Sequence, residues 1–76
     1  MDTWIWIEEE QTFIYGNDDD GCGAFFDETD YLWHGSLVYG KAMADVGPYK
    51  TLKEVQTMAE KVLEILRKEL SLATAF

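Results

Sequence analysis

The first 40 residues contain neither lysine nor arginine. That half therefore repels nucleic acid and anionic membranes, which argues against direct contact with either. Cys22 is the only cysteine. One thiol excludes an intrachain disulfide and any cysteine-based zinc site, and a reducing, cytoplasmic setting is expected. No stretch approaches the roughly 18 apolar residues of a membrane-spanning helix. The opening MDTWIWIEEE lacks the basic start and long apolar run of a signal peptide. Pro48 is the only proline and His34 the only histidine. There is no Pro-rich linker, internal repeat or low-complexity tail, and one domain over residues 1–76 is expected.

What is present is apolar, aromatic and acidic. Hydrophobic residues make up 47% of the 76 and aromatics 14%, too much apolar material for a disordered chain. A domain of this size buries only about 60% of its unfolded surface, so the core must be small. The net charge of −9 is unevenly placed. Residues 1–40 carry ten acids and no base, whereas residues 41–76 carry five acids and six bases. The same 40 residues hold nine of the eleven aromatics, so the charge belongs to a folded region and not to a tail.

Two periodicities divide the chain. Thr3 to Glu8 and Gln11 to Tyr15 have the β-branched and aromatic composition of strands, with a hairpin at Glu9-Glu10. Gly16 to Gly23 (GNDDDGCG) reads as a loop, because glycine and Asn/Asp supply what tight turns need. Ala24 to Glu28 and Tyr31 to Tyr39 read as two more strands, the second placing Tyr31, Trp33, Leu37 and Tyr39 on one face. Gly35 interrupts that face and marks a bulge or a close approach. Lys41 to Val46 is a candidate fifth strand, and Gly47-Pro48 is expected to end the sheet region. Thr51 and Glu54 form a capping box that starts a helix over 51–70. Its apolar stripe is Leu52, Val55, Met58, Ala59, Val62, Ile65, Leu66 and Leu70. Glu69 falls within that stripe, so the helix should leave its support near Lys68, with residues 71–76 as a frayed tail. The expected fold is α+β: an antiparallel meander of four to five strands with one C-terminal helix packed on one face.

Chemistry-bearing constellations are sparse. Placing Gly21 at the glycine of a calcium loop leaves Gly16 at its first ligand position, between strands and not helices, so Asp18-Asp19-Asp20 reads as a solvated acidic turn. His34, Cys22, Asp27, Glu28 and Asp30 could be drawn as an acid-base or metal cluster, but no spacing supports it. No phosphate loop or nucleophile motif is present. No catalytic, cofactor or metal residue is therefore assigned, and the chain is expected not to be an enzyme. The stronger signal is exposed aromatics beside carboxylates, the makings of a protein-binding surface. The expected partner-binding residues are Glu8, Glu9, Glu10, Asp18, Asp19, Asp20, Asp27, Glu28 and Asp30, with Trp4, Trp6 and Trp33. Because TWIWI is apolar at both alternating positions, one of its two sides must look away from the helix.

In size, acidity and economy of elements the chain resembles the small bacteriophage inhibitors that block host nucleic-acid enzymes, among them anti-CRISPR proteins and other DNA mimics. That resemblance is one of general character over the whole chain and carries no motif. It implies an inhibitor acting in the host cytoplasm by occupying a basic nucleic-acid-binding surface, such as that of a CRISPR complex. The alternative is a structural or assembly module that forms a homodimer through an aromatic sheet face, and a third reading is a metal-binding protein.

Overall fold

The computed structural model describes residues 3–74, with side chains through Leu70. Five strands, β1 (Ile5–Ile7), β2 (Thr12–Gly16), β3 (Asp20–Asp27), β4 (Leu32–Tyr39) and β5 (Ala42–Tyr49), precede one helix, α1 (Leu52–Thr74). The strands lie side by side in chain order, each antiparallel to the next. This is the α+β meander expected from the alternating patterns. The helix lies across β3, β4 and β5. No helix among the described residues is long and apolar enough to cross a membrane.

Register decides which residues meet the helix. The cross-strand row Tyr15, Cys22, Leu37 and Ala44 lies on the helix side. Tyr15, Cys22 and Leu37 are buried there with Ala59 and Leu63 of α1, and Trp4, Tyr39, Val46, Val62 and Leu66 pack around them. The neighbouring row runs Phe13, Ala24, Gly35 and Val46. At Gly35 a Cβ would lie 2.6 Å from Val46 Cγ2 and 2.8 Å from Val55 Cγ2. The glycine thus lets α1 settle close to β4, which is the close approach that its place in the strand suggested.

Several boundaries differ from the sequence reading. Asp20 to Gly23 are not loop but the start of β3: all four pair with β4, and Gly21 to Gly23 pair with β2 as well. The turn shrinks to residues 17–19, where Asn17 Oδ1 accepts from the amides of Asp19 and Asp20, both at 3.0 Å. Gly47-Pro48 does not end the sheet, since β5 continues to Tyr49. The register shifts by one residue between Trp33 and Gly35, so this pair forms a bulge. A proline without an amide donor fits there because β5 is an edge strand with a free side. The capping box also differs in one bond: Thr51 Oγ1 accepts from the Glu54 amide at 3.2 Å, but the Glu54 carboxylate accepts from the Thr51 hydroxyl and not from its amide.

The helix runs on to Thr74, so residues 71–74 are not a frayed tail; residues 75 and 76 lie outside the described residues. Its buried centre is Val55, Ala59 and Leu63, while Ile65, assigned to the stripe from spacing, is exposed. At 100° per residue Ile65 points roughly 100° away from the Val55, Ala59 and Leu66 axis, and Leu63 falls much closer to it.

Cys22 sits within the core. Burial pushes its thiol pKa up to about 12, with Glu60 raising it, Arg67 opposing and Asp20 adding a smaller push. An unfolded thiol titrates near ~8.5. Stability linked to this group is fully present below that pH and falls as pH rises toward 12, because the unfolded state loses its proton first. At pH 8.5 the native thiolate fraction implies iodoacetamide labelling slower than in the urea-unfolded chain by roughly 1000-fold. A native rate within tenfold of the unfolded one would show that the helix does not seal this site.

Candidate functional site

The meander sends its turns to two ends. The β1–β2 turn, carrying Glu8, Glu9 and Glu10, and the β3–β4 turn, carrying Glu28 and Asp30 beside Asp27, lie at one end. The β2–β3 turn, carrying Asp18 and Asp19 beside Asp20, lies at the other with the β4–β5 turn. Along β3 the separation from Asp20 to Asp27 is about 23 Å. The nine acids are therefore two groups and not one surface.

The two groups differ in electrostatics. Arg67 Nε donates to Asp20 Oδ1 at 2.7 Å, and this hydrogen bond raises the pKa of the guanidinium. Lys41 borders the same end, next to Asp19 and Asp20. The six-acid end keeps its bases to one flank: Lys50 follows β5 and Lys53 lies in the first turn of α1.

An aromatic row crosses that six-acid end on the helix side. Trp6 packs on Phe13 with ring centroids 4.8 Å apart, Phe13 on Trp33 at 6.4 Å, Trp33 on Phe26 at 5.4 Å and Phe26 on Tyr31 at 6.3 Å. Trp6 and Phe26 are exposed, and Tyr31 is 74% exposed. Trp33 is half-buried behind them. Trp4 does not belong to this row: it packs on Tyr15 at 5.3 Å and donates to Glu60 Oε2 at 3.1 Å, so it covers the core. Trp6 Nε1 donates to Glu8 Oε2 at 2.6 Å, tying the aromatic row to an acidic turn.

The two turns at this end share a backbone device. Gln11 and Tyr31 have φ of 51° and 58°. The turns close with the Gln11 amide donating to Glu8 O at 3.3 Å and the Tyr31 amide donating to Asp27 O at 2.8 Å. A bulky side chain in the left-handed region costs about 1–2 kcal/mol. Tyr31 bears that cost while leaving most of its ring in solvent, and such outliers concentrate at functional positions.

The turn also gathers His34 with two carboxylates, which sequence spacing did not suggest. His34 Nε2 lies 2.8 Å from Asp30 Oδ2 and 3.9 Å from Asp27 Oδ2. The Thr29 amide and hydroxyl hold the Asp27 carboxyl below its usual range, with a smaller contribution from His34. Cys22 is in the core and Glu28 stands exposed outside this group.

The sheet face away from the helix is the Ile5/Ile7 side. It bears a shallow depression of about 400 Å³ bordered by Thr12, Ile14, Gly21, Gly23, Val38 and Met43, with Glu10, Asp18 and Asp45 also lining it. Ile5, Phe25 and Met43 are exposed there. Comparison with family models, with curated proteins and with solved structures finds no match to this chain.

Proposed function

We propose that the chain is a non-enzymatic binding protein that docks its six-acid end on a basic surface of a partner protein. The target class is a nucleic-acid-binding face such as that of a nuclease or CRISPR effector, whose function it inhibits by occupation. The observation that carries this reading is Tyr31, held in a left-handed conformation and 74% exposed, beside Trp6 and Phe26 and among six carboxylates. Rigid aromatics supply contact area at small entropic cost, and the fixed charges steer encounter and orientation. The opposite group of acids supports docking less, because Asp20 is already paired with Arg67.

The test is capture from an extract of the native host, followed by measurement with the purified captured protein. Affinity should fall at least tenfold between about 50 and 500 mM salt. Reversing Glu8, Glu9 and Glu10 to lysine should weaken it by roughly 100-fold, and reversing Asp18 and Asp19 much less. Tyr31→Gly should keep the fold within about 1 kcal/mol, since glycine relieves the left-handed backbone, and should still lose affinity. Binding indifferent to salt and to both reversals would remove the electrostatic docking.

A second reading is supported by Ile5, Phe25 and Met43, an apolar set on the open sheet face. It is self-association through that face, and sedimentation over a concentration range decides it: a dimer abolished by Met43→Lys would favour an assembly module. Trp4, Trp6 and Trp33 lie on the helix side of the sheet and not on this face.

A further inference from the structure

We propose that Asp27, Asp30 and His34 form a binding site for a divalent transition-metal ion of the zinc class. Three ligand atoms, His34 Nε2 and one oxygen from each carboxylate, all lie within 4.8 Å of one another. A zinc ion bonded to nitrogen and oxygen donors at about 2.0–2.2 Å holds them roughly 3–3.5 Å apart. The two distances to Nε2, 2.8 and 3.9 Å, bracket that span, and with all three donors within 4.8 Å of one another the side chains need move by only about 1 Å to close on one ion.

Each ligand is aimed by a separate contact. Asp27 Oδ1 accepts from the Thr29 amide at 2.8 Å, and Asp30 Oδ1 accepts from the Leu32 amide at 2.9 Å. Each carboxylate thereby turns its other oxygen toward the imidazole. The ring is stacked on Phe25 at 5.6 Å with 17° between planes, which fixes its orientation. A simple His34 and Asp30 hydrogen bond would need only one carboxylate. Here a second carboxylate approaches the same nitrogen, and two converging anions are balanced better by a dication than by one imidazolium.

The donor set chooses the metal class. Imidazole with carboxylates suits zinc and its transition-metal neighbours, whereas calcium and magnesium require an all-oxygen shell with more ligands. Three protein ligands leave coordination positions for water or for a side chain of a docked partner. The site needs no partner to fill, so it stands or falls separately from the docking proposed above.

Because His34 is the only histidine, its ring proton resonances report on the site without assignment. Zinc chloride titrated into the full chain should shift or broaden these resonances and give saturable one-to-one heat in calorimetry. His34→Ala and Asp30→Asn should each weaken binding at least tenfold, while Asp18→Asn with Asp19→Asn leaves it unchanged. The wild-type resonances keep the test decisive even if a variant fails to fold. No saturation by about 100 μM zinc, or heat with unmoved histidine resonances, would overturn the site, as would equal affinity in folded His34→Ala.

Discussion

Leu63→Ala is expected to lower the unfolding free energy by about 3 kcal/mol, since a fully buried leucine loses both its transfer energy and the contacts that filled its cavity. Leu63 has no exposed surface and lies with Tyr15, Cys22, Leu37 and Ala59 at the centre of the core. A chain of 76 residues has a total stability of only about 4–11 kcal/mol. The substitution thus removes a large share of it and should lower the melting temperature by roughly 12–24 °C. Urea unfolding followed by tryptophan fluorescence measures the loss directly. Ile65→Ala is the matched comparison: Ile65 is 47% exposed and its truncation should cost less than about 1 kcal/mol. Equal losses at the two positions would contradict the helix orientation.

Gly21→Ala is expected to destabilise by about 3 kcal/mol, the upper end of the usual range for overpacking. A Cβ at this position presses against the carbonyl oxygen of Tyr15 and lies 2.6 Å from Asn17 O and 2.8 Å from Asn17 N. All three are backbone atoms, which cannot rotate away as a side chain can. Relief would require opening the turn that Asn17 closes on the Asp19 and Asp20 amides. Gly23, two residues along β3, meets only ordinary contacts: a Cβ there lies 3.5 Å from Ile14 Cδ1 and Thr12 Cγ2. Gly23→Ala should therefore be neutral or stabilise by up to about 0.5 kcal/mol, by restricting the unfolded chain. Thermal melts of the two variants separate these outcomes, and a neutral Gly21→Ala would mean that the turn is looser than described.

The contrast between these glycines shows what a single sequence can and cannot disclose. The strands expected over Thr3 to Glu8 and Tyr31 to Tyr39 form as Ile5–Ile7 and Leu32–Tyr39, legible because their β-branched and aromatic content agrees with their final environment. Asp20 to Gly23 were not. Their composition is that of a turn, and they extend because β4 pairs with all four and β2 with Gly21 to Gly23, a tertiary effect that outweighs local preference. Pro48 is a sound stop signal for a central strand, but β5 has one unpaired side and absorbs the ring in a bulge. Leu63 was missed because three- and four-residue steps can be counted through Val62 and Ile65 equally well, and only packing selects among the tracks.

The candidate sites follow the same division. Acids and aromatics could be enumerated, but their separation into a six-acid end and a three-acid end depends on strand order. Asp27, Asp30 and His34 converge because a turn ending in a left-handed Tyr31 folds β4 back beside β3. No linear motif encodes that combination, since the contact is made through register.

The order of elements along the chain also shapes how the molecule is made. Every strand pairs with its immediate predecessor, so the sheet can zip up locally as it leaves the ribosome, with short loops to close. The helix comes after all of it. Until α1 docks, Tyr15, Leu37 and Val46 lack the cover that Ala59 and Leu63 give them. The first 40 residues carry their ten acids and no base through this interval, so neighbouring nascent sheets repel one another. Crowding the negative charge into the part translated first thus gives the incomplete fold a defence against sticking to its own copies before its cover arrives.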